Sequence, residues 1–143
     1  MIPLVGDIKE LKYVKKFVVE TADAEIAAAG SDLEYEVGTM IEIPRAALTA
    51  DEIAKEADFF SIGTNDLTGY TMACDRGNND VSYLYSPLQP SVLRMIKRTI
   101  ECGVQNGISV GMCGEAAANK LMIPLLIHSD SQNSAFPLRQ FSM

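Results

Sequence analysis

The chain of 143 residues alternates four times between a short apolar run and a longer stretch with helical spacing, and this alternation most constrains its fold. The four apolar runs cover residues 2–5, 36–43, 58–63 and 108–113. Nearly continuous apolar strands joined by long crossovers are typical of a parallel sheet with helices packed on it. The sequence therefore predicts the α/β class, built from about four parallel β/α units.

The helical segments carry recognisable start and stop signals. Asp7 is placed to cap the first helix and Gly30 to end it, while Pro44 and Pro90 suit first helical turns. We expect helices over residues 8–29, 44–57, 67–74, 90–107 and 116–127. Four β/α units are half of an eight-stranded barrel, so the pattern allows a half-barrel or a small open sheet.

Composition changes near residue 128, where polar and turn-prone residues replace the periodic pattern. We therefore expect a partial barrel domain over residues 1–127 and an irregular polar tail over residues 128–143. Within that tail only residues 139–143 have the character of a short further strand.

Charge and cysteine content exclude several classes of function. Twelve basic and nineteen acidic residues give a net charge of −7, which disfavours binding to nucleic acid or to an anionic membrane surface. No apolar run approaches the ~20 residues of a membrane span. Three irregularly spaced cysteines predict neither a disulfide framework nor a cysteine metal site, so we expect a reduced, cytoplasmic protein.

Two carboxylates fall at the carboxyl ends of predicted strands, which is where parallel α/β sheets bind ligands. Glu42 ends an otherwise apolar run, and Asp66 follows the next run directly with Asn65 beside it. One or two carboxylates with water and phosphate oxygens suit Mg²⁺. Taken singly, Glu42 is better explained as a salt-bridged or solvent-facing residue, and residues 64–66 are better explained as a helix cap.

Arg76 and Cys113 complete the candidate set. Arg76 lies on the loop after the predicted helix 67–74, where it could bind a phosphate or simply pair with a neighbouring aspartate. Cys113 ends the fourth apolar run, where a thiol could move a proton or merely pack. We expect Cys113 to be reachable from the cleft, with Cys74 and Cys102 shielded on helices.

Four longer motifs carry a resemblance to a known family. They are Gly38-Thr-Met-Ile-Glu-Ile-Pro-Arg-Ala-Ala-Leu48, Asp58-Phe-Phe-Ser-Ile-Gly-Thr-Asn-Asp-Leu-Thr68, Asp75-Arg-Gly-Asn78 and Gly111-Met-Cys-Gly-Glu115. Together they resemble the C-terminal phosphoenolpyruvate (PEP)-binding barrel of the PEP-utilising enzymes. Residues 1–57 are most similar to pyruvate phosphate dikinase, whereas Asp75-Arg-Gly-Asn78 and Tyr85-Ser-Pro-Leu88 resemble Enzyme I of the bacterial sugar phosphotransferase system, which we favour.

The resemblance implies a fold and a set of roles. The fold is the C-terminal half of a TIM-type barrel, and the activity is Mg²⁺-dependent phosphoryl transfer between PEP and an enzyme histidine. Glu42 and Asp66 match the metal ligands, Asn65 and Arg76 match residues that bind the substrate, and Cys113 matches the acid that protonates the enolpyruvate carbon.

The chain also departs from the family pattern. The phosphohistidine domain and the first barrel strands have no counterpart here, and Gly69 stands where the family usually has Gln. The expected partners are therefore PEP or pyruvate, a phosphohistidine domain, and a complementary barrel half or a second copy, since half a barrel leaves sheet edges open. The alternatives are a non-catalytic half-barrel module that binds a ligand or partner, and a Mg²⁺-dependent lyase of pyruvate-like acids.

Overall fold

The computed structural model describes residues 1–118 and 139–140. In chain order the elements are α1 (Ile8–Ala29), β1 (Thr39–Ile41), α2 (Pro44–Leu48), α3 (Ala50–Ile53), β2 (Phe59–Gly63), α4 (Thr64–Met72), α5 (Pro90–Gln105), β3 (Ser109–Cys113) and β4 (Arg139–Gln140). Short 3₁₀ turns cover Ser82–Leu84 and Glu115–Ala118.

The four strands form one small sheet in the order β1-β2-β3-β4, and every neighbouring pair is parallel. Ile41 lies opposite Ile62, and Gly63 lies opposite Cys113, so the carboxyl ends of β1, β2 and β3 are aligned along one edge. The prediction of a parallel α/β sheet is confirmed. The strand predicted over 139–143 is present at Arg139–Gln140, and its remaining residues lie outside the described part of the chain.

The two faces of the sheet have different neighbours. Side chains alternate along a strand, so Phe60 and Ile62 lie on one face and Ser61 on the other. Helix α5 packs on the Phe60 face, where a Cβ on Gly103 would lie 2.3 Å from Val110 Cγ2. This close approach explains a glycine in the middle of the helix. The hydrophobic core between β2, β3 and α5 continues to Leu11 of α1 and Ile53 of α3.

Helix ends follow the predicted signals at Asp7, Gly30, Pro44 and Pro90. The Asp7 side chain accepts hydrogen bonds from the backbone N–H groups of Lys9 and Glu10, and Gly30 ends α1 in the left-handed conformation. Pro90 occupies the first turn of α5. The Pro44 helix, predicted to run to residue 57, is instead divided at Thr49. The Thr49 hydroxyl donates to the carbonyl of Arg45, and such side-chain bonds compete with helix continuation.

The predicted first strand is reduced to a single bridge. Ile2 pairs with Thr39 outside any named strand, and Leu4 turns into the left-handed region with φ of 54°. An extended run cannot continue through that conformation. The predicted strand 36–43 is likewise shorter, with only Thr39–Ile41 paired as β1.

Two expectations fall largely on residues that the structure does not describe. The predicted helix 116–127 begins in the 3₁₀ turn Glu115–Ala118, and its remainder lies outside the described residues. The same holds for the end of the predicted domain 1–127 and for most of the predicted tail 128–143.

Candidate functional site

The candidate residues gather at the aligned carboxyl edge of the sheet. Glu42 follows β1 immediately, Asn65 and Asp66 lie in the first turn of α4 directly after β2, and Cys113 ends β3. These strands are hydrogen-bonded neighbours, and their carboxyl ends are aligned. The prediction that Glu42 and Asp66 follow adjacent strands is therefore confirmed. The helix starts at Thr64, so the alternative that residues 64–66 form a cap preceding a helix at Leu67 is wrong.

Glu42 is a buried carboxylate with a main-chain donor. Its side chain is 2% exposed, and its Oε1 accepts a 2.8 Å hydrogen bond from the N–H of Leu4. Burial raises the pKa of Glu42, the Leu4 N–H opposes that rise, and the negative charge of Asp66 adds to it. Glu42 is therefore not solvent-facing, and its neighbours are the Leu4 backbone amide and the Asp66 carboxylate.

Gly63 makes the space that Glu42 occupies. A Cβ at position 63 would lie 2.5 Å from Glu42 Oε2 and 2.7 Å from Glu42 Cβ. Gly63 is also the residue before the first turn of α4. The Glu42 carboxylate thus lies across the end of β2 and reaches the amino end of α4, where a negative charge is favoured by the helix dipole.

Asp66 and Asn65 present different groups at this edge. Asp66 is exposed in the first turn of α4, with its carboxylate close enough to influence Glu42. The Oδ1 atom of Asn65 accepts a long hydrogen bond of 3.4 Å from the N–H of Glu115, in the turn after β3. Asn65 therefore links the turn after β2 to the turn after β3.

That turn requires its glycine. Gly114 has φ of 96°, and a Cβ there would lie 2.5 Å from Thr64 Oγ1. The Thr64 hydroxyl also donates to the carbonyl of Cys113 at 3.0 Å. The glycine after Cys113 thus lets the turn lie directly against the first turn of α4.

Arg76 lies on the loop after α4, close enough for its charge to act on Tyr85, a residue for which the sequence predicts no role. The phenol of Tyr85 donates a 2.8 Å hydrogen bond to the carbonyl of Asn65. Burial raises the pKa of Tyr85, while the positive charge of the exposed Arg76 lowers it. Tyr85 belongs to the motif Tyr85-Ser-Pro-Leu88, but the spacing of residues in the sequence does not predict that it contacts the first turn of α4.

Cys113 is packed rather than accessible. Its side chain is 3% exposed, and its Sγ lies 3.4 Å from the Ser61 hydroxyl, which donates to it, and 3.5 Å from the carbonyl of Ile62, to which it donates. Of the three free cysteines Cys74 is partly exposed, whereas Cys102 and Cys113 are buried. The prediction that Cys113 is reachable from the cleft is wrong, because its thiol is packed against Ser61 and Ile62 of β2. The prediction that Cys74 is shielded is also wrong, because Cys74 is partly exposed.

A family model described as the PEP-binding domain of PEP-utilising enzymes matches residues 1–139. The chain belongs to this family. The resemblance inferred from the four motifs is thereby confirmed. No helix among the described residues is long and apolar enough to cross a membrane.

Several similar proteins carry the name phosphoenolpyruvate-protein phosphotransferase. The protein from Bacillus subtilis is 49% identical over 129 residues, which make up 89% of this chain and 22% of the relative. The protein from Latilactobacillus sakei is 47% identical over 129 residues with the same coverage, and the one from Geobacillus stearothermophilus is 44% identical over 144 residues, 100% of this chain and 24% of the relative. The chain thus spans less than a quarter of the length of these relatives.

The donor set of this PEP-binding domain fits Mg²⁺. Glu42 and Asp66 offer two carboxylates at one edge. Burial and, to a smaller extent, the charge of Asp66 raise the pKa of Glu42, and a bound cation would offset both effects. Mg²⁺ needs only one or two protein carboxylates, because water and phosphate oxygens complete its shell.

Proposed function

We propose that this chain is the PEP- and pyruvate-binding part of a phosphotransferase, which moves a phosphoryl group between PEP and a histidine on another domain or chain. The observation that carries the proposal is the meeting of Glu42 and Asp66 at the carboxyl edge of a parallel sheet, with Asn65 beside them. The family and the names of the relatives support the same chemistry.

Glu42 and Asp66 would hold Mg²⁺ in this proposal. When bound, the ion supplies positive charge that neutralises phosphate and enolate oxygens. Glu42 is buried, and its Oε1 accepts a hydrogen bond from the Leu4 N–H. Its other oxygen, Oε2, lies beside Gly63, where it would bind the ion. Asp66 remains exposed and free to face a ligand from α4.

Arg76 and Asn65 would bind the phosphate of PEP. A guanidinium offers several donors in a planar fork, which matches phosphate oxygens, and the Asn65 side chain carries an amide at the same edge. Cys113 would give its proton to the methylene carbon as enolpyruvate becomes pyruvate. The position of Cys113 at the end of β3, on the edge that carries Glu42 and Asp66, supports that assignment.

A barrel architecture is the best account of the sheet. The face that carries Ser61, Gly63 and Cys113 lies opposite α5 and bears the candidate site, as the interior face of a barrel would. A parallel sheet is normally covered on both faces and at its edges. We therefore propose that a complementary half-barrel, or a second copy in a homo-oligomer, completes it in the cytoplasm.

Calorimetry tests the proposal directly. PEP titrated into the chain should bind when Mg²⁺ is present and lose that binding in EDTA, and oxalate should compete because it resembles the enolate of pyruvate. A chain that binds neither ligand with Mg²⁺, yet associates with a barrel half, would favour the non-catalytic module. Turnover of a pyruvate-like acid by the chain without any histidine partner would favour the lyase.

A further inference from the structure

The turn over residues 4–7 supplies the amide that hydrogen-bonds to Glu42, and contacts hold it on both sides. Before the turn, the N–H of Ile2 donates a 2.9 Å hydrogen bond to the carbonyl of Gly38, next to β1. Within the turn, the N–H of Leu4 donates to Glu42 Oε1 at 2.8 Å. The position of this amide therefore depends also on what holds the other end of the turn.

The side chain of Arg45 holds that other end. Its Nη2 atom pairs with the Asp7 carboxylate, and its Nη1 atom lies 3.7 Å from Glu10 Oε1. The other oxygen of Glu10 accepts a 2.6 Å hydrogen bond from the N–H of Gly6. A Cβ on Gly6 would lie 3.0 Å from Glu10 Oε2 and 3.5 Å from Arg45 Nη1, so the backbone of the turn lies directly against both side chains.

Arg45 is also close to the proposed metal ligand along the chain. It lies in the first turn of α2, and only Ile43 and Pro44 separate it from Glu42. The contacts thus form a closed ring, which runs from Glu42 to Leu4, along the turn to the start of α1, and back through Arg45 to Glu42. Contacts that orient a metal-binding side chain raise the affinity of the site for its ion.

We propose that Arg45 is a positioning residue for the metal site, which holds the turn over residues 4–7 so that the Leu4 N–H stays on Glu42 Oε1 and Oε2 is left to the ion. This inference rests on the proposed function, in which Glu42 binds Mg²⁺. Asp7 and Glu10 occupy the two terminal nitrogens of the guanidinium, so Arg45 acts through Glu42 and does not bind the anionic ligand.

The sign of the effect on metal binding separates positioning from charge. By Coulomb's law alone, removal of the positive charge of Arg45 would strengthen the binding of a cation at the nearby Glu42. Loss of positioning has the opposite effect, because the Leu4 amide and the Glu42 carboxylate are then less well aligned for the ion. Weaker metal binding in an uncharged variant therefore indicates positioning.

The test compares three variants of the full chain by calorimetry, with Mn²⁺ titrated in the absence of an anionic ligand. Arg45→Gln removes the guanidinium. Arg98→Gln is the matched control, because Arg98 likewise joins two elements through exposed contacts, 2.9 Å to Asp51 and 2.9 Å to the carbonyl of Leu48. Glu42→Gln removes the proposed metal ligand.

Arg45→Gln should weaken Mn²⁺ binding by about 2- to 5-fold, the effect of an exposed ion pair, and Arg98→Gln should leave it unchanged. Oxalate titrated into Mn²⁺-saturated protein should bind Arg45→Gln as tightly as the wild type. In NMR spectra the amide proton of Leu4 should lie downfield in the wild type, because it is donated to a carboxylate, and should move upfield in Arg45→Gln alone.

The outcomes separate the inference from the function on which it rests. If the wild type does not bind Mn²⁺, or if Glu42→Gln binds it as tightly, the proposed metal site is wrong. If Glu42→Gln weakens binding while Arg45→Gln leaves it unchanged or strengthens it, only the positioning role is overturned. That role is also overturned if the Leu4 amide does not shift in Arg45→Gln, if Arg98→Gln weakens Mn²⁺ binding equally, or if Arg45→Gln weakens the binding of oxalate, which would make Arg45 an anion-binding residue.

Discussion

The main-chain N–H of Leu4 donates a 2.8 Å hydrogen bond to Oε1 of Glu42, 38 residues later in the chain. Leu4 adopts φ of 54° to do so, a conformation that costs most residues energy and glycine very little. The start of the chain is thus held in a strained turn whose amide satisfies a buried carboxylate.

Replacing Leu4 tests whether this strain is real. The side chain is 54% exposed, so shortening it removes little packing. Leu4→Gly should be more stable than Leu4→Ala by about 0.5–1 kcal/mol in urea denaturation, because only glycine relieves the left-handed strain. Equal stability of the two variants, or a more stable alanine variant, would show that Leu4 is not strained.

Gly63→Ala should damage both stability and metal binding. The new Cβ would lie 2.5 Å from Glu42 Oε2, so the carboxylate or the strand must move, at a cost of about 1–3 kcal/mol. Urea denaturation and Mn²⁺ titration should both report the loss. Wild-type Mn²⁺ affinity in this variant would contradict the assigned position of Glu42.

Gly69→Ala is the matched control on the same helix. A Cβ there would make ordinary contacts, 3.4 Å to the carbonyl of Cys74 and 3.8 Å to Tyr85. Alanine is favoured over glycine inside a helix by about 1 kcal/mol, so this variant should be more stable than the wild type. Mn²⁺ affinity should not change.

The metal-free chain should lose stability as pH rises above the ordinary glutamate value of 4.5. Burial raises the pKa of Glu42 in the folded state, so the folded chain binds the proton more tightly than the unfolded one over that range. Glu42→Gln should flatten this part of the profile and raise the melting temperature at pH 7 in EDTA. An unchanged profile in Glu42→Gln would show that another group is responsible.

Cysteine labelling reports the packing of the edge. Cys74 is partly exposed while Cys102 and Cys113 are buried, so one thiol should react rapidly with a thiol reagent and two slowly. Cys74→Ser should remove the fast phase. A fast phase that survives in Cys74→Ser and disappears in Cys113→Ser would mean that the Cys113 thiol faces the cleft.

Sequence patterns predict those parts of the fold that depend on signals from neighbouring residues in the chain. The apolar run at Phe59–Gly63 and the caps at Asp7 and Gly30 are local signals, and the structure places them as expected. The run that starts at Ile2 looks like a strand, but the demand of buried Glu42 for a donor turns Leu4 out of the extended conformation. This hydrogen bond joins residues that are far apart in the sequence, so the periodicity of apolar residues does not predict it.

The candidate site likewise contains some features that the sequence predicts and others that only the structure shows. Glu42 and Asp66 are found from the sequence because strand ends in a parallel sheet share one edge. The orientation of the Cys113 thiol depends on the register between β2 and β3, which places Ser61 within reach. The contact between Tyr85 and Asn65 depends on the path of a long loop, so only the structure could reveal it.

Mn²⁺ affinity in the presence of oxalate tests the central claim most directly. Wild-type chain should bind Mn²⁺ more tightly with oxalate than without, and Glu42→Gln and Asp66→Asn should each weaken that binding by about tenfold or more, since each removes a charged ligand. Glu52→Gln, which removes an exposed carboxylate from α3, should have no effect. Equal Mn²⁺ affinity in the wild type, Glu42→Gln and Asp66→Asn would contradict a metal site at this edge of the sheet.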